Sequence, residues 1–275
     1  MKVKNQKSIY IKTIVLAIFG LLMIAPIIWM ISSSFKFESV IFERPFHLIP
    51  QNINLQNFPH AVNKFPYFDW YRNTIFVTIG VVLSVLCFSS LSGYAFAKLD
   101  FVGKNVIFSL FIATMMIPVQ VRIIPQYIIF KQLGVIDTQW SVIFPWMFNA
   151  FSIFLMRQFF MSIPDELIEA AKLDGASEYR TFGTIVLPLA QAQLSALLIL
   201  SFTWGWNDYF GPLIYIHTPT RQVLSVGIAS FKAEYADNFG VQMAGATMAL
   251  VPLIVLYLFA QKNFIEGIAL SGVKG

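Results

Sequence analysis

An all-α membrane protein with six transmembrane helices is the fold class this sequence predicts, and three observations carry the prediction. Hydrophobic residues make up 57% of the 275 and charged residues only 12%, with a mean hydropathy of +0.69. Soluble domains average about 45–50% apolar and about 25% charged. The charges are spaced so that six charge-free windows remain, at 13–35, 73–97, 105–121, 138–156, 181–207 and 238–261. A helix needs roughly 17–25 apolar residues to cross the hydrocarbon core. The alternating ten-residue pattern of barrel strands, about one residue in two facing lipid, is absent. The chain 1–275 thus reads as a single transmembrane domain with spans near 13–35, 72–97, 105–130, 138–160, 190–215 and 238–262, and a polar segment at 162–190.

The first span follows Lys2, Lys4, Lys7 and Lys12. Its apolar core, Ile14 to Ile31, is longer than a signal-peptide core and no A-x-A site follows, so it is expected to be retained. The four lysines set the N-terminus in the cytoplasm. With that orientation eleven basic residues fall inside and eight outside, and both termini are expected to be cytoplasmic. These basic residues never form a patch interleaved with aromatics, which excludes a nucleic-acid surface despite the net charge of +5.

An outer loop, 36–70, contains Pro45, Pro50, Pro59 and Pro66 and predicts turns and extended chain. In the second span Ser84, Ser89, Ser90, Ser92 and Gly93 mark a face that another helix can approach closely. Its single Cys87 reads as a small packing residue. The third span carries Pro118, Arg122 and Pro125 in its outer half, where the prolines are expected to kink or end the helix. Arg122 is read as snorkelling to the interface, with a functional site as the alternative. His47, His60 and His217 lie apart in outer loops with no metal-ligand spacing.

Between the fourth and fifth spans, the segment 162–190 is polar and predicts two short helices. Ser162 and Asp165 have capping-box spacing, and Pro164 suits a first turn. Asp165, Glu166 and Glu169 sit where the helix dipole favours negative charge. Gly175 is the expected stop, in the left-handed conformation, and Ser177 the cap of a second helix from Glu178 to about Ile185. An interfacial lipid-bound helix would be rich in Lys and Arg on its polar face. Here the first helix holds three acids and only Lys172, which favours a protein partner. In the fifth span, Trp204-Gly205-Trp206-Asn207-Asp208-Tyr209 is a broken aromatic and polar stretch. An interface belt or the wall of a sugar path both fit it.

The order Glu169-Ala170-Ala171-Lys172-Leu173-Asp174-Gly175-Ala176, then Phe182, Ile185 and Leu187-Pro188-Leu189, closely resembles the EAA motif of ABC importer permeases. Met116-Ile117-Pro118, Ile124-Pro125-Gln126-Tyr127, Gly134-Val135-Ile136-Asp137-Thr138, Phe154 to Phe160, Trp206-Asn207-Asp208 and the tail Ser271 to Gly275 look like the MalG-type carbohydrate permeases. One departure is Ala190-Gln191-Ala192-Gln193, where family members usually carry a second proline. The resemblance implies a MetI/MalG-like type I importer permease fold in a bacterial plasma membrane. It implies a cytoplasmic coupling helix of Glu169, Ala170, Ala171, Asp174, Gly175 and Ala176, with Ala170 and Ala171 allowing close seating and Asp174 capping or pairing locally. The implied partners are a second, MalF-type permease, two ATPase subunits and an extracytoplasmic solute-binding protein, with membrane lipid around and a sugar as cargo. The outer loop 216–240 is the expected contact for the binding protein.

No G-x-x-x-x-G-K-[ST] occurs, and Gly103-Lys104 lacks the rest of a phosphate loop, so ATP and Mg²⁺ are expected on partner chains and no cofactor on this one. Tyr127, Asn149, Trp204, Trp206 and Asn207 are the candidate substrate-path residues. The alternatives are a permease for amino acids, peptides or phosphonates, a secondary transporter, or a membrane enzyme. A secondary transporter would need midplane carboxylates and usually internal repeats, and a membrane enzyme converging catalytic groups, and none of these is evident in the sequence.

Overall fold

The computed structural model describes residues 6–45, 47–234 and 238–272, with side chains described within 9–45, 47–231 and 238–259. Lys2 and Lys4, on which the orientation rests, and Val273 to Gly275 of the tail lie outside the described residues. Every regular element among the described residues is helical. The chain runs through α1 (Gln6–Ser34), α2 (Glu38–Ile41), α3 (Asn57–Asn63), α4 (Tyr67–Lys98), α5 (Lys104–Thr114), α6 (Val119–Gln132), α7 (Trp140–Met147) and α8 (Ala150–Met161). It continues with α9 (Asp165–Leu173), α10 (Glu178–Thr181), a π turn (Phe182–Val186), α11 (Leu187–Leu189), α12 (Gln191–Asn207), α13 (Phe210–Tyr215), α14 (Leu224–Glu234) and α15 (Phe239–Gly272).

Among the described residues, four stretches are long and apolar enough to cross a membrane: Ile9–Ser34, Tyr67–Lys98, Trp140–Met161 and Phe239–Phe259. The count reaches six only if two bent helix pairs each make one span. The expected 105–130 span is not one helix. α5 and α6 meet at 107°, across a break at Met115–Pro118. Pro118 has no N–H to continue the ladder and pushes Ile117 out of the helical region, so the chain turns there. Pro125, by contrast, is accommodated inside α6. The 138–160 span is interrupted at Phe148–Asn149, where the Asn149 side chain caps α8 by accepting from the Ser152 N–H at 2.9 Å. The 190–215 span begins at a 79° bend beside Ala190, where the second proline is missing, and breaks again at Asp208–Tyr209.

The chain divides into two compact units. One holds Met1–Tyr67 with Ile228–Val251. Residues from Ile9 to Ile24 of α1 are almost all exposed, as a lipid-facing helix requires. The loop 36–70 is more ordered than its prolines suggest. The Asn57 amide is buried and donates to the carbonyls of Ser34 and Lys36, both at 2.9 Å. The Tyr67 hydroxyl reaches the Gly245 carbonyl at 2.8 Å, and the Phe65 and Phe231 rings stack at 5.0 Å. The two Asn57 bonds replace water for backbone carbonyls at the end of α1.

The second unit, Phe68–Gly227 with Pro252–Gly275, is built around α4. Lipid offers no hydrophobic drive between helices, so close packing at small residues holds them together. α4 has three such contacts. A Cβ on Gly80 would lie 2.5 Å from Ile143 of α7, and one on Gly93 would lie 2.7 Å from the Met156 Cβ of α8. One on Gly205 of α12 would stand 3.1 Å from the Thr78 Cα. Val81, Val85, Met156, Phe160 and Leu197 fill the buried core between them. Ser89 and Ser90 are buried as expected, and their hydroxyls bond back to the carbonyls of Val85 and Leu86. α4 is therefore in register with three of its neighbours at once.

Candidate functional site

The polar segment folds as a hairpin of short helices bent at Gly175. Gly175 has φ +79°, the left-handed conformation that glycine adopts without Cβ strain. The Ala176 N–H bonds the Ala171 carbonyl at 2.9 Å and the Gly175 N–H bonds the Lys172 carbonyl at 3.0 Å. Together they form a complete Schellman closure. The Ser177 hydroxyl accepts from the Arg180 N–H and caps α10. The expected capping box at Ser162 does not form. Pro164 is the N-cap residue, and the Ser162 hydroxyl donates instead to the Phe159 carbonyl at 2.6 Å, inside the preceding helix.

Only Ile168 and Ala171 of α9 are buried. Ala171, expected on the open face, is 7% exposed and packs inward, whereas Ala170 is open. Glu169 and Asp174 are exposed, and neither carboxylate has a partner among the described residues. Asp174 is the C-cap residue of α9 through its backbone, so its expected local pairing is not made by the side chain. Ala176 is half-buried. Two apolar residues that sequence reasoning missed stand at the bend: Leu173 is 90% exposed and Tyr179 86%. A leucine and a tyrosine so fully presented beside a tight turn form a knob for a complementary surface.

The hairpin is held from beneath by α4. Lys98, with a side chain 6% exposed, donates to the Ile163 carbonyl and to the Asp165 carboxylate, each at 2.5 Å. One turn earlier, the Tyr94 hydroxyl donates to Glu178 Oε2 at 3.0 Å. Lys172 pairs with Glu178 Oε1 at 2.5 Å and bridges the two arms of the bend. That hydrogen bond from Lys172 holds the Glu178 carboxyl below its ordinary range. The Phe182 ring rests on Tyr94 at 5.0 Å. Nothing in the spacing of Tyr94 and Lys98 reveals this role, because their partners lie 84 and 67 residues away.

A second site lies between α6, α7, α8, α12 and α13, as a cavity of about 640 Å³. Asn149, Trp204 and Asn207 line it; Tyr127 and Trp206 do not. Trp206 is buried on the other side of α12, stacked on Phe202 at 5.6 Å and edge-on to Tyr71. Tyr127 packs towards Ile123, Phe130 and Tyr215 and sets its ring edge against His217. Helical geometry explains the split, since two residues apart on α12 point in different directions. The structure adds Arg122, Gln126, Trp146 and Asp208 to the wall. Trp146 stacks on Trp204 at 5.6 Å and donates its indole N–H to Asp208 Oδ2 at 3.2 Å. Arg122 and Gln126 are one helical turn apart, the signal by which the sequence could have shown them on one face.

The turn after α6 is fastened by Asp137. Its φ is +61°, and its carboxylate accepts from the His217 and Thr218 N–H groups at 2.9 and 2.8 Å and from the Thr218 hydroxyl at 2.6 Å. Arg221 adds an ion pair at 3.1 Å. Desolvation alone would raise the Asp137 pKa, but the Thr218 and His217 hydrogen bonds and Arg221 outweigh it and hold the group at about 2. A carboxyl depressed in the folded state stabilises above its unfolded pKa and loses that contribution as pH falls. The stabilisation from Asp137 is therefore complete above about pH 4 and lost on acidification towards pH 2. Asp137→Asn keeps the backbone, since Asn tolerates positive φ. It is expected to destabilise the unit by about 1–2 kcal/mol at neutral pH. Thermal unfolding of the detergent-solubilised protein, followed at both pH values, checks this; an unchanged Tm at neutral pH would refute it.

Residues 87–269 match the family described as binding-protein-dependent transport system inner membrane component. The chain is 32% identical over 269 residues to the arabinooligosaccharides transport system permease protein AraQ of Halalkalibacterium halodurans, covering 97% of this chain and 96% of that one. It is 34% identical over 242 residues to the sn-glycerol-3-phosphate transport system permease protein UgpE of Salmonella typhimurium, covering 84% and 85%. Among solved structures it is similar to a chain of a bacterial ABC transporter involved in the import of the acidic polysaccharide alginate. There the TM-score is 0.83 at 26% identity, over 96% of this chain and 99% of the other.

Proposed function

This chain belongs to the binding-protein-dependent transport system inner membrane components, and from that premise we propose that it is the permease subunit of an ABC importer for sugars or oligosaccharides. It is a multi-pass membrane protein and a transport subunit, not itself an enzyme. Its similarity to proteins named for arabinooligosaccharides and for alginate import supports a saccharide cargo over amino acids or peptides, and the relative named for sn-glycerol 3-phosphate carries a small polyol phosphate. In this reading it has six spans, two of them bent, with both termini in the cytoplasm. It pairs with a second permease and receives cargo from an extracytoplasmic binding protein, which the alginate transporter's complex with a loaded periplasmic protein supports. The segment 216–223 supplies the outer docking surface, held firm by Asp137.

One observation carries the coupling mechanism: the exposed knob of Leu173 and Tyr179 at the Gly175 bend sits on a hairpin bonded to α4. The knob seats in one of two separate ATPase subunits, which hold ATP and Mg²⁺. The exposed residues between Glu169 and Gly175 make the seat's main contact, with Ala170 letting the surfaces close. Movement of the ATPase displaces the hairpin, and Lys98 and Tyr94 pass the displacement to α4. Because α4 is locked against α7, α8 and α12 at its glycine contacts, the walls of the cavity must shift together. The cavity then opens to one side of the membrane and afterwards to the other.

The test is co-purification with the ATPase and uptake of labelled sugars in proteoliposomes. Leu173→Asp leaves the fold intact, since the side chain is almost fully exposed, and is expected to lower ATPase co-purification and uptake by about tenfold or more. Normal co-purification by this variant would remove the knob from the mechanism. Failure of the wild-type complex to transport any saccharide would remove the cargo assignment alone.

A further inference from the structure

Among the described residues the cavity wall carries one cation, Arg122, and one carboxylate, Asp208, and no ion pair joins them. Arg122, in the first turn of α6, lines it, and among the described residues its guanidinium has neither a hydrogen bond nor an ion pair. The acid in the same wall has other partners. Asp208 Oδ2 accepts from the Trp146 indole and Oδ1 from the Gly211 N–H at 3.4 Å, so both of its oxygens are hydrogen-bonded, though only by neutral donors. A cation at membrane depth is costly, and such residues face water-filled cavities or partners rather than lipid. Arg122 is exposed, and the open space it borders is a cavity that also contains a stacked tryptophan pair.

We propose that this cavity is a cargo subsite and that Arg122 selects cargo bearing an anionic group, the carboxylate of a uronic-acid residue or a phosphate ester. The proposal rests on the reading of the chain as a saccharide permease and narrows it to acidic saccharides. The planar guanidinium fork matches both anions in two-point geometry. The Trp146–Trp204 pair offers an apolar ring face for the C–H side of a sugar. Asn149 uses its Oδ1 to cap α8 and keeps its amide N–H groups for a hydroxyl. A single arginine without a second cation suits a site that must also release its cargo.

Equilibrium binding to the detergent-solubilised assembled transporter, without the binding protein, tests this with four labelled probes. They are a uronic-acid trisaccharide, a sugar phosphate, a neutral trisaccharide and succinate. The expected result is that one acidic saccharide binds the wild type and loses about tenfold or more in affinity in Arg122→Gln. Arg122→Lys should retain an intermediate affinity, because it keeps the charge without the fork. Which acidic probe carries the loss distinguishes carboxylate from phosphate. Equal binding of neutral and acidic saccharides, or equal loss of both in Arg122→Gln, overturns the proposal. Succinate binding as tightly as the uronate would leave anion selection standing and overturn the saccharide reading instead.

Discussion

Gly175→Val is expected to lower both uptake and cargo-stimulated ATP hydrolysis by about tenfold or more while leaving membrane insertion intact. The reason is conformational, not steric. No atom lies within 4 Å of a Cβ built at Gly175, but the backbone sits at φ +79°. A β-branched residue there carries roughly 1–2 kcal/mol of left-handed strain or abandons the bend. If it abandons the bend, the Ala176-to-Ala171 and Gly175-to-Lys172 bonds open and Lys172 leaves Glu178, so the two arms carrying Leu173 and Tyr179 lose their fixed relation. Asparagine tolerates the left-handed region, so Gly175→Asn is expected to keep the bend and most of the uptake. A valine variant with normal uptake would end the proposal that this bend transmits motion. The pair of variants read in the same vesicles separates bend from bulk. Equal failure of Asn and Val would assign the loss to side-chain volume at the ATPase surface.

Lys98→Met should give the opposite pattern, ATP hydrolysis without transport. Lys98 is almost wholly buried and holds the Ile163 carbonyl and Asp165 together at the start of α9. Methionine fills similar space, but it leaves that carbonyl unpaired and removes charge-assisted bonds worth roughly 1.5–3 kcal/mol each in favourable settings. Leu173 lies at the far end of α9 and stays available to the proposed ATPase partner. The connection to α4 is then reduced to Tyr94 and the packing around Phe182. Uptake is expected to fall about tenfold while hydrolysis persists, as measured on one preparation. Asp165→Asn should cost much less, because Asp165 is 75% exposed and the Ile163 bond survives. Proportional loss of hydrolysis and uptake in Lys98→Met would mean that Lys98 supports folding and is not part of the coupling.

These two residues differ in how far the sequence alone exposes them. Gly175 was legible because a capped, acidic helix ended by glycine is a local pattern, written within about a dozen residues. The left-handed turn and the Ser177 cap both formed where predicted. Lys98 was not legible, because a basic residue ending an apolar span is the ordinary look of a cytoplasmic flank. The same holds for the wall of the cavity. Trp204 and Asn207 line it and Trp206 turns away, a distinction set by the helical phase of α12 and by Gly205 drawing that side against α4. Arg122 reads as an interface residue until the 107° turn at Pro118 lays α6 along the cavity.

The sequence by itself determined the class: charge-free windows dictate helices in lipid because backbone polar groups there must bond within their own segment. It also determined the bend at Gly175, since the left-handed region is a property of a single residue. Only the tertiary structure decided which charges are spent and which are available. Asp208 is hydrogen-bonded by Trp146 and Gly211, Lys98 is paired at the start of α9, and Arg122 has no hydrogen bond or ion pair among the described residues. Such pairings join residues tens of positions apart, and their strength depends on distance and burial, which no local pattern encodes.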